Sequence, residues 1–286
     1  MTLPLPDLTQ LPAPQVLEPI DFESINSAHR ADLLARYPQA ADVLALESEP
    51  LAKLIEAHAY RELLYRQRVN EAARAYLLAF ATGADLDHKA AFYGLARLGG
   101  EDDEHLRTRI QLRVRALAGN GTAEHYELLA LSTSPDVRAA RARQPAPGQV
   151  QLMLWLHDRP GMVPEAVRSA VQAVVDDGRH RPVGVPVTVS LARPRPIDIT
   201  ARLQREQGAP ANLVAQLQAA LPALIDAQAA IGRSLPRSWI TARLHVAGIA
   251  SVTYVGAATP PEITELAFDE VAAAGTVQLI DAGVAP

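Results

Sequence analysis

The chain has 286 residues, of which 49% are hydrophobic and 21% are charged, and this composition excludes wholesale disorder and allows one large or two to three small domains. Its net charge of −5 gives no electrostatic reason to expect binding to nucleic acid or to an anionic membrane. The lack of cysteine excludes disulfides, thiol catalysis and Cys-ligated metal centres. No secretory signal and no apolar run of roughly 20 residues is visible, so we expect a soluble protein made in a cytoplasm.

Prolines dominate the first 20 residues, where they alternate with leucines. Proline fixes φ and removes a backbone donor, so neither a helix nor a central strand is expected there. The segment is predicted to be an extended apolar arm that either frays in solvent or lies along a surface, its own or a partner's. One or two short helices, interrupted at Tyr37-Pro38, are predicted over residues 22–46.

A single long helix is predicted over residues 49–82. Ser48 is placed to cap its first turn, Pro50 is tolerated in that turn, and Thr82-Gly83 would end it. A helix of this length extends for on the order of 50 Å and needs a partner along most of it, either within the chain or in a bundle with other subunits. The candidate partner interface consists of the residues that recur at three- and four-residue steps, together with one polar residue, Asn70: Leu51, Leu54, Ile55, Tyr60, Leu63, Leu64, Val69, Asn70, Ala73, Tyr76, Leu77 and Phe80.

A polar stretch interrupts the apolar stripe of this helix at Arg66-Gln67-Arg68 and Asn70. One interpretation is a solvated stretch where the helix leaves its own core. The other is a polar layer in an inter-chain bundle, where a buried Asn fixes the register. The residues alone leave both open.

Shorter helices are predicted between residues 85 and 131. Asp85 and Asp87 are placed to cap the first, four acids at 101–104 begin the second, and Thr122 caps the third. The second helix would carry an apolar face formed by Leu106, Ile110, Val114 and Leu117. Its arginines would lie away from that face: Arg107, Arg109, Arg113 and Arg115.

Alternating apolar residues predict strands from Ser134-Pro135 onward. A first module would contain strands at 136–143, 149–156 and 185–191 and a helix from 164 to about 175. Arg193-Pro194-Arg195-Pro196 is predicted to be a joint. A second module would contain strands at 197–204, 251–255 and 276–280 and helices at 212–230 and 238–246.

The predicted fold class is therefore α+β, with a helical N-terminal third that contains one long bundle helix, followed by two small strand–helix–strand modules. We expect four segments. They are an arm with short helices at 1–46, a helical bundle and branching region at 47–133, and α+β modules at 134–194 and 195–286.

The usual catalytic and cofactor motifs are not found in the sequence: it has no dinucleotide or phosphate-binding loop, no HExxH, no nucleophile elbow and no EF-hand. The best metal candidate is Asp85-x-Asp87-His88, where helix capping is the competing explanation. We expect no cofactor, no metal and no enzymatic activity. The alternative is a soluble hydrolase or metal-dependent enzyme whose site assembles from separated residues such as these three.

Residues 46–110 carry a specific resemblance. The matching segments are Leu46-Glu47-Ser48-Glu49-Pro50, Lys53-Leu54-Ile55-Glu56, Tyr60-Arg61-Glu62, Arg68-Val69-Asn70-Glu71-Ala72, Ala81-Thr82-Gly83-Ala84-Asp85-Leu86-Asp87, Tyr93-Gly94-Leu95-Ala96-Arg97 and Glu101-Asp102-Asp103-Glu104-His105-Leu106-Arg107-Thr108-Arg109-Ile110. Together they resemble the baseplate J-like proteins of contractile phage tails and R-type pyocins. Leu11-Pro12-Ala13-Pro14 and Asp21-Phe22-Glu23 also fit, as does the order of the later segments.

The resemblance implies a structural subunit of a baseplate wedge. Two J-like chains would join one smaller I-like tail protein through a bundle of the long helices, and the wedges would close into a ring around the hub and spike, near the sheath. The α+β modules would contact neighbouring wedges. The resemblance implies neither nucleic-acid binding nor membrane insertion, and it places the protein in a virion or tail-particle baseplate, assembled in the bacterial cytoplasm.

Overall fold

The computed structural model describes residues 14–117, 119–256 and 258–285, together with 5, 8, 11 and 12. The predicted arm therefore lies partly outside the described residues, as do Ala13 and the first prolines of the chain. The chain divides into two compact units. Of the described residues, the helical unit contains those up to 97 and residues 102–110, and the α+β unit contains 98–101 and those from 111 onward.

The helical unit begins with α1 at Phe22–Arg36, whose first turn is capped by the Asp21 carboxylate accepting the Ser24 N–H at 2.8 Å. A 3₁₀ turn at Pro38–Ala40 and α2 at Ala41–Leu44 follow. The predicted break at Tyr37-Pro38 is confirmed. The remaining helices are α3 at Pro50–Tyr76, α4 at Gly83–Phe92 and α5 at Asp103–Ala116, the last of which is divided between the two units.

Helix α3 is shorter than predicted. It spans 27 residues, about 40 Å, and ends at Tyr76, because Leu77 adopts an extended conformation. Thr82 precedes α4 rather than ending α3, and Glu49, not Ser48, occupies the N-cap position. The Arg107 guanidinium holds the turn between α3 and α4 by donating to the carbonyls of Leu78 and Ala81, each at 2.9 Å.

The prediction that the arginines of α5 lie away from its packed side was wrong for Arg107 and Arg109. Arg109 is buried and donates to the Ala96 carbonyl at 3.1 Å. Leu106 and Ile110 are buried with Leu86 of α4, whereas Val114 and Leu117 are exposed. The guanidinium of arginine has several N–H donors that can bond the carbonyl groups at the end of a turn. An arginine can therefore be buried there with its hydrogen bonds satisfied.

The α+β unit starts with α6 at Ala123–Thr133, where the predicted cap is confirmed by the Thr122 hydroxyl accepting the His125 N–H at 3.2 Å. Strands β1 at Val137–Arg143 and β2 at Val150–Leu156 pair antiparallel. Helix α7 at Pro164–Asp176 leads to β3 at Val187–Leu191, which lies parallel to β2. The resulting sheet has the order β1-β2-β3.

The second sheet repeats this combination of one antiparallel and one parallel pair. Strand β4 spans Arg193–Arg205, and α8 at Leu213–Gln228, the short β5 at Leu235–Pro236 and α9 at Arg237–Leu244 follow. Strand β6 at Ile249–Tyr254 is antiparallel to β4; β7 at Ile263–Thr264 pairs with β5, and β8 at Glu270–Val284 is parallel to β4. The order is β6-β4-β8.

The predicted joint at Arg193-Pro194-Arg195-Pro196 is in fact the first part of β4. Over this stretch β4 pairs with β8 alone, because its pairing with β6 begins only at Ala201. Proline is compatible with a strand whose other side is unpaired, since no ladder hydrogen bond is lost there. Strand β8 is likewise longer than the predicted 276–280.

The two α+β modules pack against each other within their unit. Met153, Ile231 and Val271 form a shared apolar cluster. Arg138 donates to the Asp226 carboxylate at 2.7 Å and lies over the Trp155 ring. A larger core lines β4, α8 and α9, with Ile199, Leu203 and Ile225 fully buried. The α+β class is confirmed, and the division into four segments stays a prediction.

Candidate assembly interface

Helix α3 has a buried face and an exposed face. Its buried face consists of Ala52, Ile55, Ala59 and Asn70. Ala52 and Ile55 pack with Ala40 and Leu44 in a small core of the helical unit. These positions fall on one side of the helix because a residue recurs on the same face every three or four steps.

The predicted interface residues are distributed over both faces. Ile55 and Asn70 are buried, and four others are half-buried: Leu51, Leu63, Ala73 and Leu77. Six are exposed: Leu54, Tyr60, Leu64, Val69, Tyr76 and Phe80. The structure therefore divides the predicted set into residues that pack within the chain and residues that remain accessible.

The exposed face of α3 is rich in large apolar side chains. We call the residues that define it the exposed stripe: Leu54, Leu64, Tyr65, Val69 and Tyr76. Their exposed fractions reach 55% at Leu54, 73% at Tyr65, 59% at Val69 and 80% at Tyr76. A single exposed Leu is ordinary, but successive large apolar residues on one helix face indicate a surface that another molecule covers.

Sequence reasoning missed Tyr65 and Phe92, which is 84% exposed on α4. Tyr65 borders the polar Arg66-Gln67-Arg68 stretch and falls outside the apolar periodicity. Its large aromatic side chain was the available signal, since Tyr is enriched in protein interfaces.

Asn70 serves the chain's own N-terminal segment. Its side-chain amide donates to the Glu18 carbonyl at 2.8 Å, and its side-chain oxygen accepts the Glu18 N–H at 3.1 Å. Arg66 adds an ion pair with the Glu18 carboxylate at 3.3 Å. The arm is thus held on α3 at Glu18, and the buried polar group is satisfied within the chain.

A groove of about 620 Å³ lies where the end of α3 meets α4. Tyr76, Asp85, His88, Lys89 and Phe92 line it. The Lys89 ammonium lies 4.7 Å from the centre of the Tyr76 ring and donates to the Tyr76 carbonyl, so the aromatic wall of the groove is held in place. The groove extends the exposed stripe beyond the last turn of α3.

A charged network fixes the start of α4 to the start of α5. Arg97 pairs with Asp87 and with Asp103, each at 2.7 Å, and Asp103 also accepts the Gly83 N–H at 3.1 Å. The Gly83 N–H and the Arg97 guanidinium hold the pKa of Asp103 below its usual value. The prediction that Asp85 and Asp87 cap this helix was wrong, because α4 begins at Gly83 and both residues lie inside it. Asp87 forms an ion pair with Arg97 instead.

The structure does not gather Asp85, Asp87 and His88 into a metal site: among the residues it describes, no group of three His, Asp or Glu side chains could hold an ion. In the same described ranges, no helix is long and apolar enough to cross a membrane.

Two comparisons relate this chain to known proteins. Residues 47–100, which contain α3, α4 and the turn between them, match the Baseplate J-like N-terminal domain. The chain is 37% identical over 271 residues to Baseplate protein J of Escherichia phage P2, an alignment that covers 87% of this chain and 90% of that protein.

This chain belongs to the baseplate J family. The membership supports a structural role in a phage baseplate, a location in the virion baseplate and interaction with other baseplate proteins. It favours a structural over an enzymatic function.

Proposed function

We propose that this protein is a wedge subunit of the baseplate of a contractile tail, in a phage or a phage-tail-like bacteriocin. Two copies would join one I-like tail protein through a bundle that contains α3. Such wedges would close into a ring around the hub and spike, beneath the sheath, after assembly in the bacterial cytoplasm. This proposal rests on the family resemblance and on one structural observation, the exposed stripe of α3.

The exposed stripe supports bundling because its burial would release substantial free energy. A large apolar side chain contributes about 1.5–3 kcal/mol when it is fully buried. The five residues of the stripe would together contribute on the order of 10 kcal/mol, before the entropic cost of association is subtracted. Among the described residues, the side chains of α3 that are buried in the chain lie outside the stripe, so the stripe is available to partners.

The contacts that α3 makes within its own chain also support the proposal. Asn70 and Arg66 hold the N-terminal arm, and Ile55 holds α1 and α2 through the small core. These contacts help to order α3 within its own chain, since most of the stability of helices in proteins comes from tertiary packing. A helix already ordered by its own chain loses less entropy when it enters a bundle.

The test is native mass spectrometry of the full chain co-expressed with the I-like protein from the same tail gene cluster. We expect an assembly of two copies with one partner. A double substitution on the stripe, Tyr65→Ala with Val69→Ala, should reduce that assembly at least about tenfold, because both side chains are lost from the bundle. Thermal unfolding of the chain alone should change little.

Glu71→Ala with Arg68→Ala is the matched control, since both residues are exposed on the same helix turns, where they form an ion pair at 3.5 Å and Glu71 also accepts a hydrogen bond from the exposed Gln67 at 3.0 Å. The control should assemble normally. Normal assembly of the stripe variant, or a persistent monomer of the unsubstituted chain in the presence of the partner, would overturn the bundle.

A further inference from the structure

The two three-stranded sheets have four outer edges: β1 and β3 in the first, β6 and β8 in the second. An outer edge presents backbone N–H and C=O groups without a strand partner, and proteins usually cover such edges to prevent pairing with another chain. On three of these edges, a side chain from a neighbouring helix bonds at least one of the outward-facing backbone groups.

In the first sheet, α6 and α7 supply the covering groups. The Glu127 carboxylate of α6 accepts the Ala142 N–H on the outer side of β1 at 3.0 Å. The Gln172 amide of α7 donates to the Val187 carbonyl at 2.9 Å and accepts the Val189 N–H at 3.0 Å on β3. The Gln172 side chain thus bonds the edge as an added strand would.

In the second sheet, Gln218 of α8 does the same for β8, where its side-chain oxygen accepts the Leu279 N–H at 2.8 Å. Leu279 is opposite Ala201 in the parallel register, so this N–H points away from β4. The covered edges thus share one device, a carboxylate or amide side chain from the helix packed beside the strand.

Strand β6 lacks this device. The Val255 N–H donates to the Thr200 carbonyl at 3.1 Å, and in the antiparallel register this places Thr253 and Ser251 in the hydrogen-bonded pairs with β4. The N–H and C=O groups of Val252 and Tyr254 therefore point to the outer side. Within 119–256 and 258–285, no backbone or side-chain group bonds them there.

The exposed edge of β6 is suited to pairing. Residues 249–255 contain no charge and no proline, the residues that usually discourage edge-to-edge contact. The strand is also held firmly from within: the Tyr254 hydroxyl lies 3.0 Å from the Thr241 hydroxyl of α9, and Ile249 is buried in the core. Thr253 is exposed on the face opposite Val252 and Tyr254.

We propose that β6 pairs antiparallel with β6 of a second copy of this chain. In the register that uses both outward-facing residues, Val252 of each copy lies opposite Tyr254 of the other. The two Thr253 residues then face each other on the two-fold axis. An uncharged strand suits this occupant because self-pairing brings no like charges together, and a cross-strand Thr–Thr pair is favourable. The contact rests on the proposed function, in which wedges close into a ring, and it follows the expectation that the α+β modules contact neighbouring wedges.

Disulfide trapping in the full-length chain tests the register, because the natural sequence has no cysteine. In a non-hydrogen-bonded pair the two Cα atoms at position 253 would lie about 4.5 Å apart. The two at position 251 would lie roughly 14 Å apart, beyond the reach of a disulfide. Under mild oxidation, Thr253→Cys should yield at least about tenfold more linked dimer than Ser251→Cys.

A proline at position 252 supplies the second variant. The Val252 N–H is outside the β4 ladder, so Val252→Pro should leave the circular dichroism spectrum intact while it blocks the new strand pair. Added to Thr253→Cys, it should abolish cross-linking. Equal cross-linking at 251 and 253, cross-linking that survives the proline, or a link to another protein instead of a second copy would overturn the proposal.

These outcomes are separable from failure of the proposed function. The Val252→Pro chain should still form the assembly of two copies with one I-like partner, since the bundle uses α3. Loss of cross-linking with an intact bundle removes the β6 contact alone, and loss of the bundle with intact cross-linking removes the wedge alone.

Discussion

Helix α3 and strand β4 use their apolar residues in different ways. Of the 27 residues of α3, only Ala52, Ile55, Ala59 and Asn70 are buried. Strand β4 has 13 residues, about half as many, and buries Ile197, Ile199, Ala201 and Leu203 in one continuous core. The α+β unit therefore buries its apolar residues in its own packing, whereas the helical unit leaves a large part of the apolar surface of α3 exposed.

Two carboxyl groups, Asp103 in the helical unit and Glu127 in the α+β unit, show opposite pKa shifts. Asp103 in the helical unit is held by the Gly83 N–H and Arg97, which lower the pKa of its carboxyl. Glu127 in the α+β unit is partly enclosed by protein, and this burial raises its pKa to about 7 against the opposing effect of the Ala142 N–H. Hydrogen bonds favour the ionised form of Asp103, whereas burial disfavours the ionised form of Glu127.

The largest effect that would test this comparison is expected from Leu203→Ala. Leu203 is fully buried in the core of the second sheet, so the substitution leaves a cavity and should lower the free energy of unfolding by about 3–4 kcal/mol. Leu54→Ala on the exposed stripe should change it by less than about 0.5 kcal/mol. Urea unfolding of both variants measures the difference, and similar losses would refute the contrast between closed and open packing.

An intermediate effect on the free energy of unfolding is expected from a change in pH and from the substitution Glu127→Gln. The folded pKa of about 7 is above the unfolded value of 4.5, so the folded chain retains a proton that unfolding releases in this interval. The contribution to stability is complete below pH 4.5 and is lost as the pH rises through 7, on the order of 3 kcal/mol in total.

Glutamine keeps an oxygen for the Ala142 N–H but does not titrate. Glu127→Gln should therefore unfold at higher urea than the natural chain at pH 8 and lose the part of the pH slope that belongs to this residue. An unchanged slope between pH 5 and pH 8 would show that Glu127 is solvated, and that the edge of β1 is less closed than its contacts indicate.

The smallest effect is expected from Asn70→Leu. It removes both hydrogen bonds to Glu18 and leaves a side chain of similar size, with a local loss of about 1–2 kcal/mol. Limited proteolysis should cut residues 14–20 faster, while global unfolding changes little. Gln67→Leu, which alters an exposed neighbour, is the control and should leave the cleavage rate unchanged.

Local signals in the sequence predicted most elements of the fold. The break at Tyr37-Pro38, the Thr122 cap and the strands on either side of the turn at 145–148 follow from short-range rules of capping, proline geometry and alternation. The end of α3 could not be predicted this way, because Arg107 holds the turn after Tyr76 from a distance of about 30 positions in the chain. The strand at Arg193-Pro194 was missed because proline in a sequence usually argues against a strand. It is tolerated here because β6 does not extend alongside this part of β4.

The sequence indicated that α3 carries the candidate interface, but it could not show which face of the helix is exposed. Periodicity placed apolar residues on α3, yet it could not separate Ile55, which packs inside, from Leu54, which faces outward. It also could not assign Asn70 to the arm, since the amide's partner is 52 positions away in the chain.

The sequence by itself determined the α+β class, the family and the long helix, because these depend on composition, local periodicity and the residues and spacing of short segments. The tertiary structure alone decided which face of α3 is free, how the arm is anchored and which of the four sheet edges lacks a covering side chain. Each of these depends on pairing between residues far apart in the chain, where the geometry of packing and hydrogen bonding selects the partner.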